Sequence, residues 1–313
     1  MRVVAVPDDA PAVLASSPSF ARLKAAAEVR YFDTLPGTAA VLMERLRGAE
    51  AMVNIRSSTK LTREVLGSCP GLRMVSIWGT GTDNVDLSAA RELEIRVANT
   101  PAVAASSIAE HALALMLAVA RRVPVMDRRV RAGEWPRGGM VQLHGKTLGV
   151  IGLGEIGRRF ARLGEAIGME VLTWTMHPKP ELGFAHVALE ELLAHSDVVS
   201  LHLRLSEQTR GFLDEARLRM MKPGAILVNT ARGPVVDEAA LLDALEEGRL
   251  AGAGLDVFDV EPLPAGHPWT AMENVVLSPH SAGITPEALE AGLAMAVDNV
   301  LAFFEGKARH VVA

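Results

Sequence analysis

Three stretches place a chemically useful side chain directly after an apolar run. They are Ile226-Leu227-Val228-Asn229-Thr230-Ala231-Arg232-Gly233, Gly254-Leu255-Asp256-Val257-Phe258-Asp259-Val260-Glu261-Pro262 and Val276-Leu277-Ser278-Pro279-His280-Ser281-Ala282-Gly283. The planar fork of Arg232 suits a carboxylate. The His280 imidazole belongs to the one side-chain class that ordinarily titrates near neutrality. A carboxylate such as Glu261 nearby would favour its charged form and raise its pKa. Each residue taken alone also reads as a solvated loop residue, Glu261 and His280 more readily than Arg232. Together they suit hydride transfer to a ketone, which leaves an alkoxide in need of a proton. Histidine would supply that proton, and arginine would orient a substrate carboxylate and polarise its carbonyl.

Such chemistry needs a cofactor, and one stretch offers a place for it. The apolar run Leu148–Ile151 leads into Gly152-Leu153-Gly154-Glu155-Ile156-Gly157 and then into an amphipathic segment through Gly164. A strand, a glycine turn and a helix in this order form a dinucleotide site. Gly152 permits the tight turn, Gly154 lets backbone approach a pyrophosphate, and Gly157 lets the helix pack on the strand. The first N–H groups of the helix, at Glu155 and Ile156, face the phosphates with a partial positive charge. A plain tight turn is the alternative.

The elements that would carry these residues are legible as alternating short apolar runs and helical segments. Strands are expected at Val3–Val6, Val29–Tyr31, Met52–Ile55, Met74–Ile77 and Ile95–Val97. A second series is expected at Thr147–Ile151, Val171–Trp174, Val198–Leu203, Ala225–Val228, Gly254–Val257 and Val275–Leu277. Alternation of this kind implies parallel sheets with helices on both faces. Ser107-Ile108-Ala109-Glu110 reads as a capping box opening a helix that Pro124 stops. His111 on that helix reads as a packing histidine. Pro286–Phe304 reads as a long final helix.

Composition narrows the class. The 313 residues are 49% hydrophobic and 22% charged, ordinary for a globular protein of two domains. A net charge of −5 argues against nucleic acid or an anionic membrane as partner. The single cysteine, Cys69, excludes an internal disulfide and a cysteine-based metal site, and no metal is expected. The apolar run Ala112–Ala120 is far shorter than the roughly 20 residues that span a bilayer. Met1–Asp8 turns acidic too soon for a signal peptide, so a cytoplasmic location is expected.

The order and spacing of these motifs resemble the D-isomer-specific 2-hydroxyacid dehydrogenases, the family of phosphoglycerate dehydrogenase, hydroxypyruvate/glyoxylate reductase and formate dehydrogenase. The resemblance runs from Ile55-Arg56-Ser57 to the last helix. It implies two doubly wound α/β parallel-sheet domains with the active site between them. One is a flavodoxin-like substrate domain, residues 1–99 and 286–313. The other is a Rossmann nucleotide domain, residues 100–285. It implies Arg232, Glu261 and His280 as the catalytic set and Asp256 at the nicotinamide end of the cofactor. Gly152, Gly154, Glu155, Ile156, Gly157, Thr175, His202, Arg204 and Thr230 complete the expected cofactor contacts. The loops Asn54–Ser58 and Gly79-Thr80-Gly81 resemble those whose backbone N–H groups hold the substrate carboxylate. The substrate contacts are therefore expected at Ser57, Ser58, Thr80, Gly81 and Arg232. The implied ligands are a small 2-keto or 2-hydroxy acid, with hydroxypyruvate or glyoxylate foremost, and NAD or NADP. A homodimer is expected.

Two departures bear on specificity. NAD-dependent members usually carry an acid at the end of the second nucleotide-domain strand, where Thr175 stands here. With His177, Lys179 and Arg204 nearby, a 2′-phosphate is not repelled. The alternative is that these cations are solvated and Thr175 bonds the ribose. NAD is favoured by a small margin. In addition, Ile77-Trp78 stand where phosphoglycerate enzymes usually have an arginine. The chain closes at Ala313, so their appended regulatory domain is not expected. 3-Phosphoglycerate dehydrogenase and a non-catalytic dinucleotide sensor are the alternatives, the latter opposed by the intact Arg232, Glu261 and His280 set.

Overall fold

The computed structural model describes residues 2–56, 58–178 and 183–313. The chain divides into two compact units, one made of residues up to Ala104 with Ile284–Ala313, the other of Ala105–Gly283. Each has its own parallel sheet.

In the first unit β1 (Val3–Val6), β2 (Glu28–Tyr31), β3 (Ala51–Asn54), β4 (Met74–Ile77) and β5 (Arg96–Ala98) form a sheet of order β2-β1-β3-β4-β5. That is the flavodoxin-like order. The strands β3 and β4 are buried throughout, as parallel strands covered on both faces must be. One face packs under Leu42, Leu46, Val65 and Leu66. The other packs under Phe20, Leu23 and the helix Pro286–Phe304, through Leu293, Ala296, Val297 and Val300.

The second unit adds β6 (Thr147–Ile151), β7 (Glu170–Trp174), β8 (Ala185–His186), β9 (Val198–Leu201), β10 (Ile226–Asn229), β11 (Gly252–Leu255) and β12 (Val275–Leu277). Their order is β12-β11-β10-β9-β6-β7-β8, all parallel, so the order reverses at β6. This is the Rossmann arrangement with its switch point beside β6, where open α/β sheets bind ligands.

Several boundaries differ from those expected. β9 ends at Leu201 and not at Leu203. β8 is a two-residue exposed strand with no apolar run to betray it. β11 begins at Gly252, two residues before the expected start. Its glycines are packing sites: a Cβ on Gly252 would lie 2.7 Å from Val119 Cγ1, and one on Gly254 2.8 Å from Leu115 Cβ. Both contacts come from the helix Ala105–Arg121, which sits directly on the sheet. That helix starts two residues before Ser107, so Ser107 and Glu110 lie inside it and are not its cap. Pro124 does not stop it. Arg122 turns the chain at φ 52°, and Pro124 lies in the first turn of a new helix, Val123–Arg131, where its missing N–H costs nothing.

Candidate active site

The expected functional residues of the second unit follow the carboxyl ends of its strands. Taken in sheet order they run His280 after β12, Asp256 and Glu261 after β11, Thr230 and Arg232 after β10, His202 and Arg204 after β9, the glycine turn after β6 and Thr175 after β7. A linear row of contacts along one sheet edge suits an elongated ligand with two ends.

The glycine turn has the local geometry that ligand needs. Gly152 adopts φ +98°, and a Cβ there would lie 2.6 Å from the carbonyl oxygen of His202. A Cβ on Gly157 would overlap the carbonyl oxygen of Gly152. Gly154 precedes the helix Glu155–Ala166, no side chain caps that end, and the space before a Gly154 Cβ is open. The helix therefore presents uncapped N–H groups to an open space, which fits a pyrophosphate. The Glu155 carboxylate is paired with Arg158, which screens it from an anion. Thr230, 8% exposed, has a buried Oγ1 without a hydrogen-bond partner among the described residues. A bound cofactor would satisfy it.

His202 turns its ring inward. The ring packs on Phe160 with centroids 5.1 Å apart, and Nε2 meets Ser200 Oγ at 3.0 Å. Burial pushes its pKa down to about 3, so it is neutral and adds no charge for a phosphate. Arg204, by contrast, is exposed, as are His177 and Met176 after Thr175. Lys179 lies outside the described residues.

Glu261 and His280 form the chemical centre. Glu261 Oε2 meets His280 Nδ1 at 2.6 Å, and Glu261 Oε1 accepts the Phe258 N–H at 3.0 Å. Burial pushes the Glu261 carboxyl up. The His280 hydrogen bond and charge, the Phe258 N–H and the Arg232 charge outweigh it and hold the carboxyl below the usual range. The ionised carboxylate can only accept, so Nδ1 carries a hydrogen and Nε2 is left to gain or lose the second proton. Arg232 sits in the turn after β10, its Nη1 donating to Ala231 O at 2.7 Å. The next residue, Gly233, leaves no room for a Cβ against the Phe258–Asp259 backbone, which brings the β10 and β11 turns together.

Asp256 plays a part that spacing did not reveal. It is buried, and its Oδ1 accepts Ser278 Oγ–H at 2.6 Å and the Ser281 N–H at 2.9 Å. Its Oδ2 accepts the Ala282 N–H at 2.9 Å, and its carbonyl accepts the His280 N–H at 2.8 Å. His111 is no mere packing residue: its Nε2 meets Ser278 Oγ at 2.8 Å and lies 3.5 Å from Asp256 Oδ1. Burial raises the Asp256 carboxyl, but these donors bring it below its usual value. Asp256 thus gathers the turn that holds His280 at φ 51°, a region a non-glycine residue enters only under constraint. Nothing in the sequence links His111 to this turn, because the contact spans 167 residues.

In the first unit, Ser58 is exposed in the loop after β3, and Ser57 lies outside the described residues. Asp8 takes the N–H groups of Ile55 at 3.0 Å and Arg56 at 3.1 Å. Those two donors of the expected carboxylate loop are therefore already used. Thr80 and Gly81 follow β4, with Gly79 at φ +126°. Ile77 is buried, and Trp78 Nε1 donates to Leu289 O at 3.4 Å while its ring fills the space over Gly292. Among the described residues no group of three His, Cys, Asp or Glu is placed to hold a metal, and no helix is long and apolar enough to cross a membrane.

Residues 113–282 match the family model described as D-isomer specific 2-hydroxyacid dehydrogenase, NAD binding domain. A glyoxylate reductase of Aeropyrum pernix is 43% identical over 279 residues, covering 85% of this chain and 83% of that protein. The chain belongs to the D-isomer-specific 2-hydroxyacid dehydrogenase family. A D-3-phosphoglycerate dehydrogenase of Archaeoglobus fulgidus is 42% identical over 258 residues, covering 80% of this chain and 49% of that one. Among solved structures, an NADPH-dependent glyoxylate/hydroxypyruvate reductase of Sinorhizobium meliloti, in complex with NADP and malonate, superposes with a TM-score of 0.88. It is 32% identical and covers 100% of this chain and 97% of its own. Membership in this dehydrogenase family makes the chain an oxidoreductase that uses a nicotinamide dinucleotide.

Proposed function

We propose that the protein reduces glyoxylate or hydroxypyruvate to the corresponding 2-hydroxy acid, with His280 as general acid, Glu261 as its partner and Arg232 as the substrate-orienting cation. The observation that carries this reading is the 2.6 Å contact between Glu261 Oε2 and His280 Nδ1, one strand away from Arg232. When bound, the nicotinamide supplies the hydride. The chain's part is to hold and move a proton. Nε2 of the imidazolium donates to the carbonyl oxygen as negative charge develops there, and Glu261 stabilises the imidazolium beforehand. Arg232 binds the 2-keto acid by its carboxylate and withdraws charge from the carbonyl. Ser58, Thr80 and Gly81 are read as further substrate contacts on the family resemblance.

Several features support a small, unphosphorylated substrate. Ile77 is buried, and Trp78 spends its one donor on Leu289, so neither serves a phosphate. The A. pernix relative bears the name glyoxylate reductase. For the cofactor, the open Gly154 space and the orphaned Thr230 hydroxyl fit either dinucleotide, and Thr175 with exposed Arg204 leaves room for NADP beside NAD. Asp256 is read as the nicotinamide-side contact, by way of the turn it gathers. A homodimer belongs to the same reading and rests on the family resemblance.

The test is NADH and NADPH oxidation by the purified protein with glyoxylate, hydroxypyruvate, phosphohydroxypyruvate and pyruvate. The highest kcat/KM is expected with glyoxylate or hydroxypyruvate. A higher value with phosphohydroxypyruvate would transfer the assignment to the phosphoglycerate enzymes, and no oxidation with any of them would favour a dinucleotide sensor.

A further inference from the structure

The C-terminal residues make a continuous polar path to the Thr80–Gly81 loop. β5 is an edge strand of the five-stranded sheet. The tail runs antiparallel along it, with Ala98 opposite Val311. The Val97 N–H donates to Ala313 O at 2.9 Å, the Val312 N–H to Val97 O at 2.7 Å and the Asn99 N–H to His310 O at 3.2 Å. Covering an exposed edge explains the pairing itself. It does not explain the side chain at its start. His310 adopts φ 51°, and that backbone places its Nδ1 2.9 Å from Asn299 Oδ1.

From Asn299 the path goes inward. Its Nδ2 donates to Asn99 O at 3.0 Å, and both asparagines are buried. His310 at Oδ1 fixes which end of the Asn299 amide is the donor. Asn99 Nδ2 donates in turn to Thr80 O at 2.8 Å. Next to it, the Thr100 N–H donates to Gly79 O at 3.0 Å and Thr100 Oγ1 accepts the Gly79 N–H at 2.7 Å. In a trans peptide the carbonyl and the N–H point in opposite directions. Tying Thr80 O to Asn99 therefore turns the Gly81 N–H to the opposite side of the loop. No backbone hydrogen bond engages that N–H among the described residues.

We propose that His310, Asn299 and Asn99 are positioning residues for the substrate carboxylate, a relay that fixes the direction of the Gly81 N–H. This rests on the reading that the Thr80–Gly81 loop holds that carboxylate. An N–H aimed in advance loses less freedom when the anion binds, so the relay acts on substrate affinity and not on the proton transfer at His280.

The experiment uses the full chain with its cofactor and four variants: Asn99→Ser, His310→Ala, His310→Asn and Arg91→Ala. Readouts are kcat and KM for glyoxylate, NADH affinity by fluorescence, and Tm. Asn99→Ser and His310→Ala are expected to raise KM by about five- to tenfold, with kcat and NADH affinity nearly unchanged. His310→Asn keeps an amide N–H near the Nδ1 position and tolerates the same backbone region, so it restores KM. Arg91 donates to Val312 O at 3.2 Å, and Arg91→Ala loosens the tail without touching the relay, so it is expected to lower Tm and leave KM alone. An unchanged KM in Asn99→Ser overturns the reading of the loop. A raised KM in Asn99→Ser with an unchanged one in His310→Ala overturns the relay alone. A KM raised as much by Arg91→Ala as by His310→Ala reduces the tail to an edge cover and also overturns it.

Discussion

Glu261 meets His280 through Nδ1, at 2.6 Å, and so leaves Nε2 as the ring nitrogen that handles the proton. Glu261→Gln keeps the shape and removes the charge. The imidazolium then loses its counter-ion, and the alkaline limb of the reduction profile moves to lower pH. Because the Glu261 carboxyl is held below the usual range, the wild type keeps this pair intact into mildly acidic solution. Profiles of kcat/KM against pH for both proteins decide the matter, and coincident alkaline limbs would mean that Glu261 does not act on the proton donor.

Asp256→Asn tests the turn behind His280. The amide cannot accept from Ser278, Ser281 and Ala282 together, and the expected loss of stability at neutral pH is about 3 kcal/mol. The folded carboxyl titrates below its ordinary value, so its contribution is present above the unfolded pKa of about 3.9 and is lost as pH falls through the folded pKa. Urea denaturation of both proteins should show a gap at pH 7 that narrows below about pH 4. Equal midpoints at pH 7 would contradict the role given to Asp256.

His202, although it must stay neutral where Asp256 must stay charged, also loses its contribution as pH falls. Its folded pKa of about 3 lies below the unfolded 6.5, so between these values only the unfolded chain takes up the proton. Stability then falls with decreasing pH by up to about 1.4 kcal/mol per pH unit from this group alone. His202→Gln is expected to flatten the dependence of stability on pH between about 6.5 and 4 by that amount. Parallel curves for wild type and variant would show that the ring is not held neutral.

The glycine turn separates two costs that usually come together. Alanine at Gly154 meets nothing within 4 Å, so Tm should hold while NADH binding weakens by at least about tenfold. Alanine at Gly157 collides with the Gly152 carbonyl, so Tm and binding should both fall. Thermal melts with and without NADH distinguish them. Retained NADH affinity in Gly154→Ala would place the pyrophosphate elsewhere.

Cofactor choice follows from Thr175 and Arg204. The ratio of kcat/KM for NADH and NADPH is expected within about a hundredfold, roughly 3 kcal/mol. A preference for NADH beyond about a thousandfold would show that Arg204 does not serve a 2′-phosphate.

Much of this was legible in the residues because the determinants are local. Glycine spacing around Gly152, and polar residues that directly follow apolar strands at Arg232 and His280, depend only on neighbours in the chain. What escaped depends on packing. The start of β11 at Gly252 escaped because the helix that needs the missing side chains of Gly252 and Gly254 lies more than a hundred residues earlier. The Asp8 contacts to Ile55 and Arg56 and the His111 contact to Ser278 leave no periodicity behind them. The inward ring of His202 is likewise packed on Phe160, a residue of a different element far back in the chain.

The five-stranded unit is assembled from two chain segments separated by Ala105–Gly283, and this orders events during synthesis. The strands β1–β5 leave the ribosome before the seven-stranded unit. Their covering helix, Pro286–Phe304, and the segment that pairs with β5 are translated after it. At synthesis rates of roughly 5–20 residues per second, the intervening segment takes on the order of ten to forty seconds. For that interval one face of the first sheet, around Val4, Val6, Val53 and Met74, lacks part of its cover, while the seven-stranded unit has all its sequence and can fold. Of the two units, the one whose synthesis starts earlier is therefore the one whose sequence is completed later.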